Sequence, residues 1–256
     1  MASTNDTSSY HGLTVTARKA LSHGLMFQTS YTWSKVITQS EQEQGLTTFQ
    51  NQNNQNEDRS LASFNVPQRL SVNGFYNIPF LNGCKAWYCR AFGGWTISAL
   101  GVFEKGMPLD VFTSASFPAK GVVPTVTNSG DWNADGTTYA RPNAPVTPVQ
   151  TQGFTQQQYL TGVVPTSVFS VPTLGTDGNL GRNAFQAPGF ERVDAALTKV
   201  FSISERFKLR FRWEADNALN HTNLNAPTGN LNSPSFGIAT SGAIPRQMRG
   251  SLLLRF

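Results

Sequence analysis

Apolar and polar residues alternate along most of this chain, and no stretch sustains a helical period of 3.6. The clearest case is 207–216, FKLRFRWEAD. Phe207, Leu209, Phe211, Trp213 and Ala215 point one way, and Lys208, Arg210, Arg212, Glu214 and Asp216 point the other. The same period of two predicts a strand where Leu13, Val15 and Ala17 alternate with Thr14, Thr16 and Arg18. A second is predicted where Leu25, Phe27, Thr29, Tyr31 and Trp33 alternate with Met26, Gln28, Ser30, Thr32 and Ser34. Others follow at Leu70–Val72–Gly74–Tyr76–Ile78, at Trp95–Ile97–Ala99–Gly101–Phe103 and at Val193–Ala195–Leu197–Phe201. The last runs to the terminus through Met248, Gly250, Leu252, Leu254 and Phe256.

An apolar face opposite a charged one suits a soluble sandwich, whose apolar side packs a core. It equally suits a membrane barrel, whose apolar side meets lipid and whose polar side meets a wet lumen. The connections separate the two. Short turns are expected near 21–24 and 203–206, whereas 37–65, 106–188 and 217–244 are long and polar. Structureless loops beyond about 12–15 residues are uncommon in compact soluble domains, while outer-membrane barrels pair short turns on one side with long loops on the other. The fold class that follows is all-β: an antiparallel meander of about seven strands, part of a transmembrane outer-membrane β-barrel with short periplasmic turns and long extracellular loops. The loops at 37–65 and 106–188 are expected to lack regular order. Tyr31, Trp33, Tyr76, Trp95 and Trp213 sit toward strand ends, where an interfacial aromatic girdle would place them.

Composition is consistent with this picture. Charged residues make up 14% of the chain, against about a quarter in ordinary soluble domains. Mean hydropathy is -0.29, and no run reaches the ~18 apolar residues of a transmembrane helix. The net charge of +5 is spread over singly scattered Lys and Arg, so no nucleic-acid partner is expected. The N-terminus MASTNDTSSYHG shows no basic segment followed by an apolar one, so no signal peptide is read there.

Three phrases, GNLGRNAFQAPGFERVDAALTKVF (178–201), FKLRFRWEADNALNHTN (207–223) and IPRQMRGSLLLRF (244–256), resemble the C-terminal region of Oar-like TonB-dependent receptors of the acidobacterial type. Upstream, SSYHGLTVTARKALSHGLMFQTSYTWSK, VPQRLSVNGFYNIPF and GGWTISALGVFEKGMPLDV fit the same family, so the resemblance covers nearly the whole chain. It implies that residues 1–256 are the C-terminal segment of a receptor barrel, with plug and earlier strands absent, since transporters of this class close with 22 strands around a plug. It further implies uptake of a scarce solute (a siderophore, a glycan or similar) driven by TonB. The implied partners are outer-membrane lipid, the barrel-assembly machinery and, through the receptor's N-terminal parts, the TonB complex. Met248, Leu252, Leu254 and Phe256 match the terminal signal read by the assembly machinery, with Gly250 as a departure. A non-transporting adhesin or structural barrel, and a soluble glycan-binding β-sandwich, are the alternatives.

Candidate chemistry is sparse. The histidines His11, His23 and His221 fall at strand edges, turns or loops, and neither H-E-x-x-H nor G-x-S-x-G occurs, so no enzyme is expected. Arg210, Arg212 and Glu214 would line the lumen, there to contact substrate or plug, or to form a solvated charge ladder with Asp194 and its neighbours. Asp131-Trp132-Asn133-Ala134-Asp135-Gly136 opens like a calcium loop, with Asp131, Asn133 and Asp135 as ligands. The closing position, where Glu is needed, is Pro142, and a polar surface turn reads equally from these residues. No other cofactor is expected. Cys84 and Cys89 are either idle thiols in a turn or a small disulfide, since spacing alone does not fix Cβ geometry.

Overall fold

The computed structural model describes residues 7–40, 49–51, 53–81, 84, 86–113, 123, 125–126, 130–135 and 139–256. Its strands are β1 (Ser8–Ser22), β2 (Leu25–Thr38), β3 (Ser60–Leu61), β4 (Gln68–Asn77), β5 (Trp95–Glu104), β6 (Pro108–Leu109), β7 (Phe185–Gln186), β8 (Phe190–Ser202), β9 (Lys208–Asp216) and β10 (Gln247–Arg255). Eight of them form one sheet in the order β1-β2-β4-β5-β8-β9-β10, with β3 extending the β4 side of β2 and β6 pairing separately with β7. Each alternating segment of the sequence is therefore a strand, and every pairing along the path is antiparallel.

The short turns obey backbone sterics. β1 and β2 meet across His23 and Gly24, both in the left-handed region (φ 51° and 80°), as a two-residue hairpin loop of the type that matches strand twist requires. Gly24 is needed twice over, because a Cβ there would lie 2.6 Å from the Asn77 carbonyl oxygen. β8 and β9 join through 203–207, where the Ile203 and Ser204 amides donate to the Phe207 carbonyl. The link from β4 to β5 carries the helix α1 (Trp87–Phe92) at the same end of the sheet. The connections β2–β4, β5–β8 and β9–β10 all lie at the opposite end and are long.

Register sorts the side chains. Directly opposed residues of an antiparallel pair share a face, so the ladder can be followed across the sheet. The row Leu25–Tyr76–Ile97–Leu197–Trp213–Gly250 crosses six strands, and the row Val15–Tyr31–Leu70–Phe103 crosses four. All the apolar positions predicted from alternation that lie within these strands fall on this one face. No second sheet covers it among the described residues, since the only other sheet is the β6–β7 pair. Leu13, Trp33, Ile97, Trp213 and Leu252 of this face are exposed. A soluble protein would not leave so wide an apolar surface open to water, which argues against the sandwich. The opposite face carries Thr14, Thr32, Arg69 and Glu104 in one row, and Arg18, Gln28 and Asn73 in another.

The expectation that the long connections lack order is overturned for their described residues. The buried hydrophobic cluster lies in them and not in the sheet: Leu109, Val111, Trp132, Tyr159, Phe169 and Leu231 are among its members. The helix α2 (Gln156–Thr161) sits here too, held by a capping box between Thr155 and Gln158. The physical reason is composition: 106–188 contains enough Phe, Tyr, Trp, Val and Leu to offset its ordering entropy by burial. Residues 41–48 of the first loop and 114–122 of the second fall outside the described residues.

The facing can be read with spin labels in outer membranes. Labels at Thr29, Val72, Ala99 and Leu197 should relax with dissolved oxygen, and labels at Ser30, Ser71, Ser98 and Thr198 with a water-soluble nickel chelate. Mixed accessibility within either set would show that the assignment of faces is wrong.

Candidate functional site

On the polar face, β8, β9 and β10 build a continuous ionic ladder. Arg249 donates from Nε to Glu214 Oε2 at 2.6 Å, and Arg212 reaches Glu214 Oε1 at 2.6 Å. Arg249 Nη1 also lies 3.6 Å from Asp216 Oδ2, whose other oxygen is 3.7 Å from Arg192 Nη2, while Arg192 Nε donates to Asp194 Oδ1 at 2.8 Å. The antiparallel register dictates this: Glu214 stands opposite Arg249, and residues two apart on one strand share the face. Of the residues singled out in the sequence, the structure joins Arg212, Glu214 and Asp194's ladder. Arg210 stays apart, opposite Val200 and Leu253, with no ion pair among the described residues. Arg192, Asp216 and Arg249 complete the ladder, and their alternation with Val193, Ala215 and Met248 was the signal that could have placed them.

At the long-loop end the chain builds a second polar centre that periodicity could not have revealed. Asp58 and Arg141 form an ion pair with their side chains 1% and 3% exposed, tying the first long connection to the second. Arg141 also donates from Nε to the Leu180 carbonyl at 2.9 Å. Gln50, fully buried, accepts from the Arg141 amide at 3.0 Å and donates to the Gly178 carbonyl at 2.8 Å. Gly178 is required there, since a Cβ would lie 1.8 Å from the Arg141 carbonyl oxygen. Arg182 donates to the Asp58 carbonyl and to the Thr38 carbonyl, both at 2.8 Å, fastening this centre to the end of β2.

Asp110 stands beside it, accepting from the amides of Asn183 (2.9 Å) and Val111 (3.0 Å). Part of the residue's surface reaches solvent, yet burial of its carboxyl pushes the pKa up to about 6 from 3.8, against the pull of those amides and of Arg141 and Arg182. Burial likewise pushes the Tyr159 hydroxyl up to about 12, and that hydroxyl donates to the Gln186 carbonyl at 2.8 Å.

The remaining sequence candidates are placed as follows. Asp131 Oδ1 and Asn133 Oδ1 both accept from the Asp135 amide, at 3.2 and 3.3 Å. The Asn133 amide donates to the Gln50 carbonyl and to Asp177 Oδ1. These oxygens thus serve a turn, and Gly136 lies outside the described residues. Among the described residues no group of His, Cys, Asp and Glu side chains is arranged to hold a metal ion. Cys84 and Cys89 are joined in a disulfide beside α1. Met248, Leu252, Leu254 and Phe256 lie exposed on the apolar side of the edge strand β10 and the residue after it.

An open meander with one predominantly apolar face, two short turns at one end and loops with a buried core at the other is the architecture against which known proteins can be compared. The family model described as "Outer membrane beta barrel domain" matches residues 1–249. The chain belongs to that family. An outer-membrane β-barrel domain resides in the outer membrane of Gram-negative bacteria, which gives the exposed apolar face its setting. No curated protein and no solved structure matches the chain.

Two outcomes are expected of the loop centre in this barrel domain. Asp58→Ala, which strands a buried guanidinium, should lower the opening free energy of the loops by about 3–5 kcal/mol. Pulse proteolysis would show this as early cleavage within 139–183 while the strands stay protected. Separately, Asp110 titrates higher folded than unfolded, so its contribution is fully present below pH 3.8 and is lost as pH rises through about 6. The ceiling is about 3 kcal/mol, reduced by whatever screening its partial exposure allows. The loops should therefore open more readily at pH 8 than at pH 5, and Asp110→Asn should flatten that dependence. An unchanged slope in the variant would remove Asp110 as its source.

Proposed function

We propose that this outer-membrane barrel domain is the C-terminal barrel part of a TonB-dependent receptor that takes up a scarce solute. The observation that carries the reading is the ionic ladder of Arg192, Asp194, Arg212, Glu214, Asp216 and Arg249 on the polar face. An eight-stranded barrel is filled by its own side chains, and long arginines in adjacent rows need a wider interior. A wide lumen wetted by charge suits a barrel that surrounds a plug and passes solute. The resemblance of 178–201, 207–223 and 244–256 to Oar-like receptors supports the same reading. On it, Arg210, Arg212 and Glu214 face the plug or the solute, the segment ending at Phe256 is read by the assembly machinery, and the chain carries out no catalysis.

A second reading is favoured by one feature. The long connections fold into a body with its own buried core, held by Asp58–Arg141, and a rigid external body suits an adhesin or structural barrel.

Reading the DNA upstream of Met1 discriminates between them. The receptor reading expects an in-frame plug and TonB box, and cross-linking of the encoded protein to TonB in energised cells. Upstream sequence encoding only further strands, with no TonB cross-link, would favour the adhesin.

A further inference from the structure

Of the lysines that the register places on the apolar face, one is buried among aromatic rings. Lys199 of β8 stands directly opposite Trp95 on one side and Phe211 on the other, in the row that also carries Leu252. Its residue is only 3% exposed. The ammonium lies 4.9 Å from the centre of the Phe201 ring and 5.4 Å from that of Trp95, both within cation–π range. Nζ donates to the Gly93 carbonyl at the C-terminal end of α1. An ammonium carries three donors, and no carboxylate lies within ion-pairing distance of this one among the described residues. Among the described residues two donors are left without an acceptor, at a depth where that is costly.

Those donors border a cavity of about 720 Å³ at the short-turn end, lined by Leu81, Gly93, Gly94, Phe201, Ile203 and Lys208 among others, with Glu205 the one carboxylate among its described residues. Phe80, Tyr88, Phe92, Ile203 and Phe207 are exposed along the same end. Aromatic and aliphatic side chains open to the surroundings beside a buried cation are what a membrane–water boundary offers to a lipid, tails on one side and headgroup on the other.

We propose that this cavity is a phospholipid site in which Lys199 binds the headgroup phosphodiester, with Lys208 as a second cation at its rim. The phosphate oxygens would take the two remaining Lys199 donors as charge-assisted hydrogen bonds, and the acyl chains would lie along the apolar face beside Trp95, Phe201 and Phe211. A free phosphate would satisfy the same donors, but nothing in its chemistry would use the apolar wall.

The test uses the protein extracted from outer membranes in detergent and titrated with dihexanoyl phosphatidylglycerol, dihexanoylglycerol and inorganic phosphate. Binding is read by native mass spectrometry and by the fluorescence of Trp95, with Trp95→Phe as the blank. Lys199→Gln should weaken phosphatidylglycerol by about tenfold, the scale of one charge-assisted hydrogen bond, while Lys199→Arg should retain most of it. Equal affinity of wild type and Lys199→Gln would overturn the site, as would equal binding of dihexanoylglycerol. Saturation by inorganic phosphate alone would assign the cavity to a free anion and refute the lipid. Should Lys199→Gln fail to fold, a phospholipid with a photoreactive headgroup decides the matter in the wild type. Adducts confined to 80–94 and 199–208 support the proposal, and adducts elsewhere sink it.

Discussion

Everything in this sheet depends on register. Side chains alternate with a period of two, so slipping one strand by a single residue would move its whole apolar set to the other face. Here four successive pairings keep Leu25, Tyr76, Ile97, Leu197 and Trp213 in one row, and the pairings at the two ends of the meander obey the same constraint. The same register brings Arg249 opposite Glu214. Lipid-facing surface and charged interior are thus one fact seen from two sides. The burial of backbone groups follows from it as well, because strands that pair on both edges leave no unsatisfied amide for lipid to penalise.

Beyond the strand ends the chain solves the same backbone problem with side chains. Asn65 accepts from the Val36 amide at 2.7 Å where a strand partner would otherwise stand. Asn223 exchanges two bonds with Glu191, donating to its carbonyl at 2.8 Å and accepting from its amide at 2.7 Å. Gln50 and Gln186 act likewise inside the loops, bridging Arg141 to Gly178 and Gly153 to Gly106. A primary amide carries the same donor and acceptor as a peptide group, so Asn and Gln can cap ladders and seal irregular backbone. This explains how the described stretches rich in Asn and Gln are held in place, although composition alone gives such residues to solvated loops.

That contrast also shows what could be read in advance. FKLRFRWEAD declares its faces residue by residue, and so do the strands around Phe27, Val72 and Ala99, because period-two alternation is local. The Asp58–Arg141 pair is separated by 83 positions, and Gln50 meets Gly178 across 128. No local pattern encodes such contacts. Of the ladder, Arg212 and Glu214 were legible from one strand, whereas Arg192, Asp216 and Arg249 needed the pairing of three. Lys199 was invisible for a different reason. Its position in the alternation is apolar, and only the nearness of Trp95, Phe201 and Gly93 makes a cation tolerable there.

The sheet's edges carry a last constraint. β1 and β10 are not paired with each other, and six antiparallel steps separate them, so they run in the same direction. Joining them directly would give a parallel pair in an otherwise antiparallel sheet. A second copy inserted with the same orientation meets the same difficulty, because its β1 and β10 also run alike. An all-antiparallel ring that includes this meander must therefore hold an odd number of further strands between β10 and β1, and its total is then even, as bacterial barrels are. Left open in lipid, each free edge would expose unpaired amides and carbonyls at several kcal/mol apiece. That cost far exceeds the 5–15 kcal/mol or so that stabilises a typical folded domain. In the membrane, then, the meander is stable only with both edges paired, because the register that sorts its faces leaves the amides of β1 and β10 as the one backbone problem that the sheet does not solve by itself.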